Sequence, residues 1–509
     1  MEKRTLLAVV LSLFILLGWS YFFQQKPVTQ KPLTAEQPQV KPETAHTPEQ
    51  VPAVQPSVGL AETKGIEAKD ILVETDLYKA VLSTAGAGIK SWELKTYNDD
   101  KKMPVMLLQK PGTIQALGIM FEDAKQAPQP KYIYEVNTDS LTLAKGSDRG
   151  ELVFTYSSNV MSIKKKFTFY NDDFRADLSI ETANVPAYLL PVGTDFGVYD
   201  KKQSEHKGPV ILIDSDRKEF DDKQSQRQDL SGYIRWIAQE DKYFTAALMP
   251  VSQNDGAVVW KEGASAEIAF RVKQQKQDFV FYAGPKEYDR LKKLNQGLEH
   301  IIDFGWFSIV AMPLFWVLKY IHSFTGNYGW AIILVTIAVR IPFILILNKS
   351  QQSMKKLQKI QPMMNDIKEK YKKDPQRMQK EMMALYKTHK VNPVGGCLPM
   401  FLQIPVFVAL YNVLAKAIEL RGAPFALWIT DLAVKDPYYI MPITMGATMV
   451  IQQKMTPSTM DPTQAKMMML MPIVFTFMFL SFPSGLVLYW LVNNVLGIIQ
   501  QYYTNKKAD

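Results

Sequence analysis

The chain has 509 residues, 47% hydrophobic and 21% charged, with a formal net charge of +9. Its near-average composition hides a segregated chain: apolar runs long enough to cross a bilayer crowd the first 23 residues and the region beyond residue 330, leaving a polar, mixed middle. The single cysteine, Cys397, excludes a disulfide framework. The five histidines, His46, His206, His300, His322 and His389, lack metal-ligand spacing, so neither a metalloenzyme nor a cofactor site is expected.

Lys3 and Arg4 precede an apolar run from Leu6 to Phe23 with no small-residue cleavage signal, which predicts an uncleaved transmembrane anchor over 1–23. Prolines 27, 32, 38, 42, 48, 52 and 56 stand among Gln, Thr, Glu and Lys, so 24–60 is expected to be a disordered tether. Over 61–290 the pattern changes to short alternating runs such as ELVFTYSS (151–158), SIKKKFTFY (162–170) and QDFVFYAG (277–284), punctuated by Gly, Asp, Asn and Pro. That predicts an antiparallel all-β sandwich. Lacking clustered carboxylates in a recognisable motif, it fits a scaffold or interaction domain better than an enzyme.

Between Asp303 and Lys319 the uncharged stretch is short for a span, and Trp306, Trp316, Lys319 and His322 suit an amphipathic helix at the headgroups over 301–322. Five apolar segments follow, at 330–347, 397–418, 438–453, 467–482 and 484–503, giving six spans with the anchor. The loop 348–396 carries twelve Lys/Arg (349, 355, 356, 359, 368, 370, 372, 373, 377, 380, 387, 390) against Asp366, Glu369, Asp374 and Glu381, which places it in the cytoplasm. Lys3 and Arg4 place the N-terminus there too, so the β domain lies outside. The four remaining spans return the tail, 504–509, to the inside.

Within the basic loop, Leu357, Ile360, Met364, Ile367 and Tyr371 step by three and four, as do Met378, Met382, Leu385 and His389 beyond KKDP (372–375). Two helices folded into a hairpin would bury these stripes. Met354, Met364, Met378 and Met382 are the candidate partner surface, because methionine adapts to varied apolar shapes.

The segment 330–347 holds one charge, Arg340, and the four later spans contain no Asp or Glu. An arginine at mid-bilayer costs about 2.5–3.5 kcal/mol on insertion scales. Snorkelling to the inner headgroups would relieve it but leaves unexplained the neutral polar residues in the spans: Thr336, Gln403, Asn412, Thr444, Thr448, Gln452, Ser481, Asn493 and Asn494. These fit a wet recess open to the cytoplasm, since Arg340 lies about 10 Å from the inner end of its helix. The recess would host polar parts of an incoming polypeptide, while FLQIPVFVAL (401–410) and IVFTFMFL (473–480) offer its apolar segment a slide into lipid. The spans 438–453 and 467–482 fall short of a ~30 Å hydrocarbon core, so local bilayer thinning is expected beside them.

From residue 300 onward, NPVGGCLPMFLQIPVFVALY (392–411), APFALWITDL (423–432), DPYYIMPITMG (436–446) and FPSGLVLYW (482–490) closely resemble the membrane protein insertases that group YidC with the Oxa-type mitochondrial and Alb-type chloroplast proteins. The anchor, tether and β domain resemble the Gram-negative form. The resemblance implies a mutarotase-like supersandwich without enzymatic role in the periplasm, and a bacterial inner-membrane insertase and chaperone acting alone or with the Sec translocon. Implied partners are nascent membrane proteins, ribosomes, the signal recognition particle receptor and the lipid bilayer, without sequence-specific nucleic-acid binding. It puts the groove arginine at Arg340, with Thr336, Tyr489 and Trp490 nearby, and client contacts at Ile404, Pro405, Phe407, Phe475 and Phe479. Some relatives have tyrosine where Trp490 stands. A secondary transporter using Arg340 as an anion site is the alternative, although no intramembrane carboxylate or inverted repeat accompanies it. A carbohydrate-binding envelope protein with a membrane anchor is a third possibility, for which six spans are more than an anchor needs.

Overall fold

The computed structural model describes residues 67–506, apart from 100–101, 109–113, 123–131, 194–205, 222–225, 263–264, 392–397 and 457–461. The expected anchor and tether, Cys397 and the end of the tail lie outside the described residues. Between Asp70 and Pro285 the chain forms three sheets. A nine-stranded sheet has Phe244–Pro250, Lys276–Pro285 and Arg175–Ala183 as neighbouring central strands, and two five-stranded sheets lie against it. Phe279 and Phe281 project from one face of the same strand: Phe279 meets Phe270 of one small sheet and Phe281 meets Trp92 of the other. Both small sheets therefore pack on one face of the large one. Among the described residues the pairing is antiparallel with one exception, since Ser140–Thr142 runs parallel to Asp70–Glu74.

Alternation explains most of the core, and Lys165 shows where it misleads. In Ser162–Tyr170 the buried positions are Ile163, Lys165, Phe167 and Phe169, so a lysine stands in core register. Its Nζ donates to the carbonyls of Ala87 and Leu117, satisfying a group that burial would otherwise leave costly.

The helical unit begins with α1 (Tyr288–Lys293) and α2 (Ser308–Thr325), continues through α3 (Tyr328–Arg340) and α4 (Ile344–Lys359), and forms a hairpin of α5 (Gln361–Lys370) and α6 (Pro375–Thr388). It ends with α7 (Leu398–Lys416), α8 (Ile440–Met455), α9 (Pro462–Phe479) and α10 (Ser484–Lys506). Only a short 3-10 turn, Ile341–Phe343, separates α3 from α4, so the helical path runs through the boundary expected at 348. The next break falls at Ile360, where Pro362 opens α5. Among the described residues one helical stretch, Tyr328–Lys359, is long and apolar enough to cross a membrane by itself; Gln403–Lys416 and Met468–Phe479 are shorter apolar helices. α10 is the hub of the unit, packing on α3, α4, α7 and α8, with Ser484 to Tyr489 all buried.

A polar joint ties the β domain to the helices. Lys319 of α2 is bonded to Asp289 of α1 and lies 3.8 Å from Glu419, which follows α7. Arg421 donates to the Asn98 carbonyl at 2.8 Å and covers the Tyr243 and Phe244 rings. Burial pushes the Glu419 carboxyl up to about 7, reinforced by Glu287 and Asp289, because Lys319 is already engaged and only partly offsets it. The folded chain thus holds a proton that the unfolded chain releases above about 4.5, so this group stabilises the fold at pH 4.5, loses that contribution as pH rises to about 7, and adds no further slope beyond. Glu419→Gln should remove this slope and be more stable than wild type at pH 8, as read by thermal unfolding of the detergent-solubilised protein at pH 5 and pH 8; equal pH dependence of the two proteins would contradict it.

Candidate functional site

Arg340 ends α3 half-buried, pointing at α10. Its Nη1 donates to the Asn493 carbonyl at 2.9 Å and to Asn493 Oδ1 at 2.7 Å. Nε and Nη2 donate to Gln500 Oε1 at 3.3 and 3.2 Å. Every one of these acceptors is neutral. Hydrogen bonds to a charged group contribute about 1.5–3 kcal/mol each, enough in combination to offset the cost of holding a guanidinium away from bulk water.

The polar face continues along α10. Gln500 Nε2 donates to Asn348 Oδ1 at 2.9 Å, Thr504 Oγ1 donates to the same oxygen at 3.3 Å, and Lys355 Nζ donates to the Asn505 carbonyl at 3.0 Å. Asn493, Gly497, Gln500 and Thr504 share one helical face because their spacings are four, three and four. Sequence reasoning named Asn493 and missed Gln500, Asn348 and Thr504; the spacing from Asn493 was the signal available.

The other expected polar residues divide. Gln403 Nε2 donates to the Tyr489 hydroxyl at 3.0 Å, tying α7 to α10 beside the arginine helix. Thr448 accepts from Asn494 Nδ2 at 3.2 Å and donates to the Met445 carbonyl, stitching α8 to α10. Thr336 is buried and its hydroxyl donates to the Ile332 carbonyl of its own helix. Asn412 does not join the cluster: it donates to the Phe304 carbonyl at 2.8 Å, next to the bond from Lys416 to the Asp303 carbonyl. These two tie α7 to the segment before α2.

Trp490 organises the apolar side. Its ring lies 4.7 Å from Phe407, 5.2 Å from Phe479 and 6.1 Å from Phe475, joining α7, α9 and α10. Ile404 is exposed, while Pro405, Phe407 and Phe475 are half-buried. Phe479 is 1% exposed, so its ring packs in the interior. The outward aromatic of α9 is Phe477, at 70% exposure, which sequence reasoning missed. In the hairpin, Met364 packs with Leu357, Ile360 and Val391, while Met354 and Met382 lie partly buried against them. Met364 therefore serves the hairpin's own core. Met378 is half-buried, and the exposed methionines are Met363 and Met383.

A three-sheet domain joined to helices, one stretch of which is long and apolar enough to cross a membrane and carries an arginine held by neutral amides, fits the class of membrane proteins with a separate folded domain. The family model described as 60Kd inner membrane protein matches residues 320–509, and that of the YidC periplasmic domain matches residues 70–317. The membrane protein insertase YidC of Geotalea daltonii is 40% identical, covering 99% of both chains; that of Syntrophus aciditrophicus is 40% identical over 100% of both. The counterpart from Geotalea uraniireducens is 41% identical over 99% of each. The chain belongs to the YidC family of membrane protein insertases, in the form that carries a periplasmic domain.

Because Trp490 packs by its ring, Trp490→Tyr should leave the unfolding temperature close to wild type. Trp490→Ala should cost near the low end of the ~3–5 kcal/mol typical of Trp truncation, since the ring is half-buried. Thermal unfolding of both purified variants distinguishes these outcomes.

Proposed function

We propose that the helical unit inserts client segments through a hydrated groove centred on Arg340 and open to the cytoplasm and to lipid. The observation that carries this reading is that, among the described residues, Arg340 bonds to neutral acceptors alone, on a helical face whose polar groups continue through Gln500, Asn348 and Thr504. A cation so held keeps its field, and an acidic client residue can replace an amide oxygen on the guanidinium with a stronger, charge-assisted partner. The client's apolar stretch leaves by the side where Ile404, Phe475 and Phe477 face outward or half outward.

In this reading the chain crosses the inner membrane six times, with both termini and the basic hairpin in the cytoplasm and the β domain in the periplasm. α2 lies at the outer interface, and α8 and α9 thin the bilayer beside them. The hairpin, with exposed Met363 and Met383 amid lysines, meets the ribosome or the signal recognition particle receptor, and the Sec translocon shares some clients. The alternative, a transporter with Arg340 as an anion site, predicts saturable uptake of a small anion.

The test places photocrosslinkers at Ile404 and Phe475 and translates a short membrane-protein client on ribosomes. Adducts to the nascent chain at both positions are expected, and Arg340→Ala should lower insertion of clients with acidic outer segments more than of clients without them. No adduct at either position, with insertion intact, would remove the groove.

A further inference from the structure

The last helix carries a buried glycine that its backbone conformation does not require. Gly497 lies inside α10 with ordinary right-handed helical geometry, so no left-handed conformation calls for it. A glycine in a helix interior costs stability relative to alanine, so its presence here needs a spatial reason. That reason is visible beside it. A Cβ built at Gly497 would lie 2.6 Å from Gln452 Nε2, 3.4 Å from Gln452 Cδ and 3.2 Å from Arg340 Nη2.

Gly497 also sits one turn after Asn493 and three residues before Gln500, the two residues that hold the guanidinium. The arginine therefore spans from one to the other directly over the missing side chain. Gln452 reaches into the same notch from α8.

We infer that Gly497 is a positioning residue for Arg340: its missing side chain makes the notch in which the guanidinium and the Gln452 amide lie side by side against α10. The inference rests on the groove reading, because it assigns Gly497 its effect only through Arg340. A methyl group at 497 presses mainly on the far end of Gln452, a flexible side chain that can swing away. An isopropyl group fills the notch, displaces both side chains and leaves Arg340 to extend toward the inner headgroups. The effect should therefore grade with size.

The experiment uses the full chain in cells depleted of the wild-type protein, with a client whose outer segment is acidic and a matched client in which it is neutral. Gly497→Val should lower insertion of the acidic client several-fold and Gly497→Ala less, with little change for the neutral client. In an Arg340→Ala background, Gly497→Val should add nothing, since two residues acting through one contact are not additive. Gln452→Ala, which vacates half the notch, should restore much of the insertion lost in Gly497→Val.

If Arg340→Ala lowers insertion of the acidic client but Gly497→Val does not, Gly497 has no positioning role and the groove stands. If Arg340→Ala itself has no effect on either client, the groove reading is the one that fails. Loss of both clients alike, or a further loss in the Arg340→Ala background, would mean general damage to α10 and overturn the inference. Should Gly497→Val fail to accumulate, the Gln452→Ala/Gly497→Val protein is read instead: recovery of accumulation and acidic-client insertion supports the notch, and continued failure overturns it.

Discussion

Holding a guanidinium among apolar helices without a carboxylate is the constraint around which the helical unit is arranged. A carboxylate would have formed a closed pair, with the Coulomb attraction used up internally and both charges desolvated. Neutral oxygens do something different. The backbone carbonyl and side chain of Asn493 and the amide of Gln500 accept from Nε, Nη1 and Nη2, and among the described residues no carboxylate pairs with the charge. Gln500 is fixed in turn by Asn348, so the acceptor is oriented by the helix that follows the arginine. The cation is thereby held in place by neutral oxygens.

That arrangement makes α10 the busiest helix of the unit, and its faces divide the work. Asn493, Gln500 and Thr504 meet α3 and α4, Gly497 lies between Arg340 of α3 and Gln452 of α8, and Asn494 bonds Thr448 and Gln501 bonds Thr456 at the α8 end. Trp490 covers the side toward α7 and α9. Interhelical hydrogen bonds between amides and hydroxyls are what joins α10 to α8 here. The aromatic cluster adds dispersion contacts of the kind that hold helices together when no hydrophobic gradient exists between helix and lipid.

The β domain and the helices are joined by groups of a different character. Lys319, Asp289, Glu419 and Arg421 are charged, and they cluster where the chain passes from sheet to helix. Rings pack beside them, with Tyr288 against Phe315 and Trp316. The raised proton affinity of the Glu419 carboxyl at this joint follows first from its desolvation, with Glu287 and Asp289 adding to it against the partial offset of Lys319, and it couples the stability of the junction to pH.

Period and composition by themselves determined much of this. The two-residue alternation specifies an all-β domain, the isolated Arg340 and its nearby amides stand out in the linear pattern, and the motifs from 392 to 490 point to the insertase family. These are local or compositional properties, which a linear pattern can carry. Tertiary structure alone decided which amides meet the arginine. Asn412 and Asn493 look alike in the sequence, yet one ties α7 to the Phe304 carbonyl and the other holds the guanidinium. It also turned Phe479 and Met364 inward and left Phe477 and Met363 outside, put Lys165 in the core, and made Gly497 a notch. Each depends on which neighbour a residue faces, and that is fixed by packing between segments distant in the chain.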